Sequence, residues 1–403
     1  MQNAISGAML LLKLASLYFL VVALFALKKP KPIPRANPNM RFACVIAARN
    51  EERVIGGLIE SLLRQTYPKA LFDIYVMPNN CTDHTALAAI RAGAQVLRPE
   101  GEIRCKGDAL HEVFETLLKK DYDAFCVFDA DNFVDPAFLS RMNDAFCAGA
   151  KAAKGAMRVK NPEDSPLCAC YGLYFTCFDF FFSRARMNCG LSSKLVGTGF
   201  AVHRSVLEKS HGWNSVTIAE DAEFAAYLAE TGTRVWFVPE AVTYDEAPTS
   251  VLVSLRQRRR WSSGVMDVAQ AQLGSLACGV FDEGGLRALD MLLMLTQPFC
   301  QAISFFLGCA LVLVQPDAAR AMLLLLGLAG GFFAMTMFAC LLSKIQGGRY
   351  NWRAILLFPL FMASWLPLNL VSLLFRTRVW REIEHGKPAI PAVKRQLFQK
   401  AEF

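Results

Sequence analysis

The sequence is poor in charge and lacks the motifs of several common protein classes. Only 19% of its 403 residues are charged and 54% are hydrophobic, a balance too apolar for a purely soluble domain, so part of the chain should lie in lipid. No Gly-x-Gly-x-x-Gly run follows the first predicted strand and no Gly-Lys-Ser/Thr motif occurs, which argues against a dinucleotide enzyme and a P-loop ATPase. The 13 cysteines include no Cys-x-x-Cys pair, so they indicate reduced, structural thiols rather than a secreted disulfide framework.

The positive charges gather beside apolar segments and in one arginine cluster. The net charge is +8, but this distribution is typical of the cytosolic side of a membrane protein and argues against nucleic acid as a partner. Residues 4–27 are apolar apart from Lys13 and are followed by five cations with no acid among them, which predicts an uncleaved anchor over 1–29 with the N-terminus outside. A cleaved signal peptide is disfavoured because a charged n-region and a small-residue cleavage site are missing. A stiff Pro-rich linker over 30–40 then leads to a cytosolic domain.

Strand and helix patterns alternate over 41–250 and predict a wound α/β domain with a mainly parallel sheet. Apolar runs predict strands over 42–47, 72–77, 94–97 and 125–128. Polar side chains follow the strand ends or open the next helix, among them Ala48-Arg49-Asn50-Glu51, Asn80 with Asp83, and Lys106. Because the carboxyl ends of parallel strands converge on one crevice, this edge of the sheet should hold a nucleotide.

The chain is organised around Phe125-Cys126-Val127-Phe128-Asp129-Ala130-Asp131, an apolar run that ends in two carboxylates one residue apart. Two carboxylates held this close repel each other unless a cation lies between them, and oxygen ligands suit Mg²⁺ or Mn²⁺. The alternative is an Asx-rich turn without a metal. Lys106 could neutralise a diphosphate beside such a metal.

Two later polar stretches add to this candidate site. Gly197-Thr198-Gly199 is a turn where backbone can approach a ligand closely, and Glu220-Asp221 lies just ahead of a helix. Acids in a first helical turn also favour the macrodipole, so a purely local role for Glu220 and Asp221 remains open at this point. Farther on, Gln257, Arg260 and Trp261 belong to an arginine cluster on a predicted amphipathic interface helix, 251–285, for which a polybasic membrane patch or a nucleic-acid stripe are alternatives.

Three uncharged apolar segments, 291–314, 321–342 and 354–375, are each long enough to cross a bilayer, and they fall within a predicted membrane region over 286–376. Three crossings would put the basic tail, 377–403, outside the cell, whereas its cations favour the cytosol. We therefore expect that one segment does not span, and that it is 354–375, because Pro359 and Pro367 would interrupt a straight helix.

Five motifs, taken in order, resemble the membrane-integrated family 2 glycosyltransferases, which include the cellulose, hyaluronan, chitin and poly-N-acetylglucosamine synthases. The motifs are Ala47-Ala48-Arg49-Asn50-Glu51-Glu52, Asn80-Cys81-Thr82-Asp83, Asp129-Ala130-Asp131, Glu220-Asp221 and Gln257-x-x-Arg260-Trp261. The resemblance covers roughly residues 1–385. It implies a GT-A fold joined to α-helical membrane segments, a nucleotide-sugar donor that is usually UDP-linked, a Mg²⁺ or Mn²⁺ ion and inversion at the anomeric carbon.

The resemblance also implies roles for individual residues. Asp221 would be the catalytic base, and Asp131 with Asp129 would hold the metal. The donor nucleotide would be bound by Ala48, Arg49, Glu51, Asn80, Asp83, Lys106, Asp129, Gln257 and Arg260. The acceptor would be met by Gly197, Thr198, Gly199, Glu220 and Trp261. The chain departs from the family's pattern at Asn79-Asn80, where many relatives carry an acid, and at 376–380, which matches the family's gating segment only loosely.

These features lead us to expect a multi-pass enzyme of the cell membrane with a cytosolic catalytic domain. The favoured function is a processive synthase that elongates a β-linked glycan from a UDP-hexose and moves it across the membrane. With so few spans, its channel would be narrow or would require a dimer. One alternative is a non-processive enzyme that glycosylates a membrane lipid. Another is a membrane-bound nucleotide sensor without turnover.

Overall fold

A single eight-stranded mixed sheet lies at the centre of the protein, whose computed structural model describes residues 16–314, 317–348 and 351–376. The strands are β1 Phe42–Ala48, β2 Phe72–Pro78, β3 Gln95–Val96, β4 Ala124–Asp129, β5 Phe133–Val134, β6 Ala152–Val159, β7 Phe200–His203 and β8 Val235–Asp245. Their order across the sheet is β3-β2-β1-β4-β7-β6-β8-β5. The four predicted strands correspond to β1 to β4 and are thus confirmed, although β3 is shorter than the sequence pattern suggested.

The helices fall into two groups along the chain. Those of the α/β region are α1 Ser16–Leu27, α2 Ile55–Leu63, α3 Thr85–Ala92, α4 Lys106–Leu117, α5 Phe138–Cys147, α6 Pro166–Cys177, α7 Ala185–Asn188, α8 Arg204–Lys209 and α9 Glu220–Glu230. The later ones are α10 Val251–Gly279, α11 Gly285–Val314, α12 Ala318–Ile345, α13 Trp352–Ala363 and α14 Trp365–Leu374. A π-helical stretch, Phe178–Arg184, joins α6 to α7 without a break.

Side chains that alternate along each strand feed two hydrophobic cores, one on either face of the sheet. In β1, Cys44 and Ile46 face the core formed with α2 and α5, whereas Ala43 and Val45 face the core formed with α4, α8 and α9. The period of two in a strand explains this division. Burial on both faces also explains why β1 reads as an almost continuous apolar run in the sequence.

The change of strand direction at β7 positions the candidate site. The strands β3, β2, β1 and β4 are parallel, while β7 runs antiparallel to β4. The carboxyl end of β4 therefore lies beside the beginning of β7, and the backbone N–H of Gly199 donates to the carbonyl of Val127 at 2.8 Å. The turn at 197–199 is thereby held next to Asp129.

Three stretches of the described chain, Gly285–Ala310, Ala318–Ile345 and Trp352–Leu374, are helical, long and apolar enough to cross a membrane. The last is interrupted at Ser364, which separates α13 from α14. The interruption was predicted, but its position differs, because Pro359 lies inside α13 and Pro367 lies in the first turn of α14. The first part of the predicted anchor, up to residue 15, and the predicted tail 377–403 lie outside the described residues.

Candidate active site

Lys106 connects the elements around the end of β4. Its ammonium donates to Asp129 Oδ1 at 2.5 Å and to the carbonyl of Gly197 at 2.6 Å, and it lies 3.5 Å from Glu220 Oε1. Burial alone would lower the pKa of Lys106, but the charges of Asp129, Glu220 and Asp221 raise it above its ordinary value. Lys106 therefore stays protonated and holds β4, the 197–199 turn and the start of α9 together.

Gly197 lies where the two halves of the site meet. A Cβ atom built on it would lie 3.7 Å from Asp129 Oδ2, 3.7 Å from Asp221 Oδ2 and 3.8 Å from Lys106 Nζ. The residues predicted to bind the metal and to act as base are thus brought to one place, although 92 positions separate Asp129 from Asp221 in the sequence. Glycine keeps the space between them clear of a side chain.

The other two residues of the turn support the end of β4. The Asp129 backbone N–H donates to Thr198 Oγ1 at 3.1 Å, and the Thr198 hydroxyl donates in turn to Asn132 Oδ1. Gly199 has a φ of +62°, and a Cβ there would lie 2.7 Å from Thr243 Cγ2. Both the left-handed backbone and the close approach require glycine at position 199.

Asp131 belongs to a second group of charges beside Asp129. Asn132 Nδ2 donates to Asp131 Oδ1 at 3.3 Å and to Asp245 Oδ1 at 3.1 Å, while Lys160 donates to the Asp131 carbonyl at 2.9 Å. Burial, and next the charge of Asp131, raise the pKa of Asp245 well above its ordinary value. Carboxylates crowded in this way favour a bound cation.

The donor set suits a divalent cation that shares its ligands with a substrate. Within the described ranges, no group of three or more His, Cys, Asp or Glu side chains could hold a metal ion by itself. Mg²⁺ is usually bound through one or two carboxylates together with substrate phosphates. Asp131 and Asp129 supply such carboxylates, and a diphosphate would complete the coordination.

The first turn of α9 carries Glu220 and Asp221, which point to different partners. Glu220 is buried, and burial raises its pKa to about 7 against the opposing effect of Lys106, with Asp221 and Asp129 adding to the rise. Asp221 is more accessible, and its Oδ1 accepts from the backbone N–H of Ala222 at 2.8 Å. Glu220, predicted to meet the acceptor, lies 3.5 Å from Lys106, whereas Asp221 faces the space at Gly197.

The two loops predicted to bind the nucleotide are tied to each other. Asp83 accepts from the backbone N–H groups of Thr85 at 3.0 Å and Glu52 at 3.1 Å, and the Glu51 backbone N–H donates to Thr85 Oγ1 at 2.8 Å. Asp83 thus shapes the loop that follows β1. Arg49 belongs to this loop, one residue beyond the end of β1.

Two asparagines, Asn79 and Asn80, hold the loop that follows β2 in place through hydrogen bonds. Asn79 donates through its backbone N–H at 2.9 Å and through Nδ2 at 3.1 Å to the carbonyl of Ala48, and Asn80 Nδ2 donates to the carbonyl of Ile103 at 2.5 Å. Asn80 adopts a φ of +47°, which asparagine tolerates better than most residues. The structure therefore brings the loops after β1 and β2 together with the segment before Lys106.

The residues Gln257, Arg260 and Trp261 lie on α10, which packs against α9 and against the apolar helices α11 and α14. Gln257 Oε1 accepts from the Tyr171 hydroxyl at 3.5 Å, and Trp261 stacks on Trp365 with ring centroids 6.4 Å apart. One turn after Arg260, a Cβ on Gly264 would approach Ala219 Cβ to 2.7 Å. This close contact places α10 directly against the start of α9.

Sequence reasoning missed three charged residues near the site. Lys154 is buried in β6, where burial lowers its pKa to about 8 while Asp179, Asp245, Asp129 and Asp221 oppose the shift. A lysine near the middle of a strand rich in alanine was the available signal for it. Asp245, at the end of β8, was not among the predicted site residues. Lys194 carried no signal in the sequence, because only the folded chain brings it near Asp221.

Comparisons with known proteins agree with this geometry. A mixed sheet in which β4 leads into an Asp-x-Asp pair, near a carboxylate at the start of α9, is the arrangement that the resemblance to GT-A glycosyltransferases implies. Residues 38–264, more than half of the chain, match the model of the glycosyltransferase-like family 2, and the chain belongs to this family. The enzyme class and fold implied by the sequence resemblance are thereby confirmed.

The curated relatives share part of their length with this chain. Probable glycosyltransferase YdaM of Bacillus subtilis (strain 168) is 29% identical over 248 residues, covering 58% of this chain and 58% of YdaM. A beta-monoglucosyldiacylglycerol synthase of Synechocystis sp. is 28% identical over 237 residues, covering 56% of this chain and 48% of the relative. The chain thus spans about half the length of the curated relatives it matches.

A solved structure shares the fold over almost the whole chain. The mannosyltransferase PcManGT from Pyrobaculum calidifontis, solved in complex with GDP-Man and Mn²⁺, superposes with a TM-score of 0.59 at 20% identity. The superposition covers 92% of this chain and 96% of PcManGT. It therefore supports the arrangement of the sheet together with the later helices.

Proposed function

We propose that this protein transfers a single sugar from a nucleotide-sugar donor, UDP-linked by resemblance, to a hydroxyl of a membrane lipid, with inversion at the anomeric carbon. The observation that carries the proposal is the position of Asp221 on a helix that packs against apolar helices. Ala226 and Ala229 of α9 share one core with Val268 and Leu276 of α10 and Met291 of α11. An acceptor hydroxyl presented from a membrane would reach Asp221 from this side.

We assign each part of the reaction to a residue of the site. Asp221 takes the proton from the acceptor hydroxyl as its oxygen attacks the anomeric carbon from the face opposite the leaving diphosphate. Lys106, which lies beside Asp129, would hold positive charge next to the diphosphate, and Arg260 of α10 would add to it. A divalent cation on Asp131 and Asp129 would supply further positive charge to the leaving group.

The packing around Trp261 favours one transfer to a lipid over the growth of a chain. Ser262 donates to Asn369 Oδ1 at 2.8 Å and Ser263 lies 3.3 Å from the hydroxyl of Ser372, so α10 and α14 are joined directly behind Trp261. A glycan leaving the site through the membrane would have to part these contacts. A lipid acceptor needs no such passage, and one matched relative is named for the synthesis of a glucosyl lipid.

We place the catalytic domain on the cytosolic face of the cell membrane. Lys28, Lys29 and Lys31 follow α1 directly, where the positive-inside rule puts the cytosol. The expectations of processive synthesis and of a second copy remain predictions, because neither is needed for a single transfer to a lipid.

The test is incubation of the purified full-length protein in lipid vesicles with separate UDP-sugars and GDP-mannose, and with Mg²⁺, Mn²⁺ or EDTA. Nucleotide release and the mass of the lipid products are measured together. We expect one donor to give lipids heavier by one sugar residue, and EDTA to stop transfer. A polymer formed without a glycosylated lipid would overturn the lipid proposal and favour the synthase.

A further inference from the structure

An aromatic wall extends from Trp261 to the π-helical stretch after α6. We give this name to the rings of Trp261, Trp365, Tyr174 and Phe178. Trp261 and Trp365 stack with centroids 6.4 Å apart, Trp365 and Tyr174 stack at 5.7 Å, and Tyr174 meets Phe178 edge-on at 4.6 Å. Three separate parts of the chain contribute, so the wall exists only in the folded protein.

Lys194 ends on this wall. Its ammonium lies 4.2 Å from the centroid of Phe178, and among the described residues it has no carboxylate within ion-pair distance. Lys194 precedes Gly197 by three residues, in the segment that leads to the 197–199 turn. Burial lowers its pKa to about 8, Asp221 opposes that shift, and Arg186 adds to it. Lys194 thus combines a contact to the wall with an electrostatic interaction with Asp221.

A second hydrogen-bond donor on the aromatic wall has no acceptor in the described part of the chain. Trp365 Nε1 is buried and finds no hydrogen-bond acceptor in the described part of the chain. A buried N–H without an acceptor costs about 1–3 kcal/mol, so positions like this favour a ligand oxygen. Lysine and the indole group can only donate hydrogen bonds. Each of them therefore calls for a ligand atom that accepts a hydrogen bond.

We infer that the lipid acceptor carries a phosphate ester close to the hydroxyl that receives the sugar, and that Lys194 and the indole N–H of Trp365 bind this phosphate. The inference rests on the proposed function and narrows its substrate class to phospholipids with a free alcohol, such as phosphatidylglycerol. A neutral diacylglycerol offers one hydroxyl and ester carbonyls but no negative charge for Lys194. A phosphate ester offers both charge and oxygen acceptors.

The reaction leaves this phosphate unchanged. The bond between the anomeric carbon and the donor diphosphate breaks, and its electron pair leaves with the nucleoside diphosphate. The alcohol oxygen of the headgroup forms the new bond to the anomeric carbon, and its proton passes to Asp221. Lys194 and Trp365 are specificity-determining residues that hold the headgroup, so they should act on KM for the lipid more than on kcat.

The test compares phosphatidylglycerol with diacylglycerol as acceptors in vesicles of equal negative surface charge, kept constant with phosphatidylserine, whose headgroup has no alcohol. Water-soluble glycerol phosphate is a third acceptor and separates recognition of the phosphate from recognition of a lipid. The donor is the nucleotide sugar that the wild-type protein uses. Lys194→Gln, Lys194→Arg and Trp365→Phe are compared with wild type, and Lys209→Gln is the matched control, since Lys209 is an exposed lysine paired with Glu283.

We expect wild type to prefer phosphatidylglycerol, and Lys194→Gln to raise KM for it on the order of tenfold or more, as loss of a charge-assisted hydrogen bond implies. Lys194→Arg and Lys209→Gln should keep the preference, and Trp365→Phe should weaken it while preserving the ring. Equal use of both lipids by wild type, or equal slowing of Lys194→Gln on both, would overturn the inference while leaving lipid glycosylation intact. Failure to glycosylate any lipid would overturn the proposed function, and this inference with it.

Discussion

Asp221 differs from its neighbour Glu220 in what surrounds it, although both begin the same helix. Glu220 is buried against Lys106, so its charge is committed within the protein. Asp221 faces the space that Gly197 leaves open. The acid that contacts Lys106 and the acid proposed as the catalytic base are thus neighbours in the sequence.

The first prediction concerns this base. Asp221→Asn should lower kcat by about two to four orders of magnitude, because the amide cannot accept the proton of the acceptor hydroxyl. Binding of the nucleoside diphosphate, measured by calorimetry, should change little, since we propose that Asp221 meets the acceptor and not the donor. Glu208→Gln, an exposed acid of α8, serves as the control. Full transfer by Asp221→Asn would remove Asp221 from the role of base.

Much of the site could be predicted at the residue scale because its members are polar residues at strand ends. Asp129 follows an apolar run, and Arg49 and Asn80 follow two others, so the pattern of a parallel sheet was enough to group them. Lys154 and Lys194 could not be predicted as part of the site, because their approach to the carboxylates depends on tertiary packing. The sequence groups Glu220 with the site but does not reveal its contact with Lys106, because spacing along the chain does not fix which way a side chain points.

At the scale of elements, the interruption between α13 and α14 shows why prolines locate a break only roughly. Pro359 lies inside α13 without ending it, and Pro367 occupies the first turn of α14, where no backbone N–H is needed. Arg258 contributes instead, donating to the carbonyl of Phe361 at 3.0 Å and to Ser364 Oγ at 2.7 Å. A side chain 106 positions earlier therefore stabilises the break.

The second prediction uses two glycines of α10. Gly264→Ala should slow transfer, because the new methyl group would meet Ala219 Cβ at 2.7 Å and displace the start of α9. Gly274→Ala is the matched control, since a Cβ at Gly274 meets nothing within 4 Å. Gly274→Ala should leave activity unchanged and stabilise the protein by about 0.5–1 kcal/mol through helix propensity. Equal activity of both variants would show that the contact with Ala219 does not position α9.

At the scale of the whole molecule, a buried ion pair joins distant parts of the chain. Arg186 of α7 bonds both carboxylate oxygens of Asp290 in α11, at 2.8 and 3.0 Å, and both side chains are 1% exposed. The hydroxyl of Tyr18 in α1 donates to the same carboxylate at 2.9 Å. Helices α1, α7 and α11, from the beginning, middle and later part of the chain, are thus joined at the carboxylate of Asp290.

The third prediction follows from this pair. Asp290→Ala should destabilise the protein by about 3–5 kcal/mol, because it leaves Arg186 buried without a counter-charge. The combined variant Arg186→Met, Asp290→Leu and Tyr18→Phe should recover most of the lost thermal stability, since no buried polar group is left unpaired. Thermal unfolding in detergent is the measurement. A combined variant no more stable than Asp290→Ala would mean that the pair contributes geometry that apolar packing cannot replace.

The core shared by α9, α10 and α11 also limits how far the protein can be truncated from its C-terminal side. The family match ends at residue 264, yet Ala226 and Ala229 of α9 pack on Leu276 and Met291 beyond that limit. A fragment ending at the family boundary would expose this surface to water and leave the helix of Asp221 supported on one side only. The smallest unit that can be expected to fold and to be active therefore includes α11. This unit contains a segment that is long and apolar enough to cross a membrane.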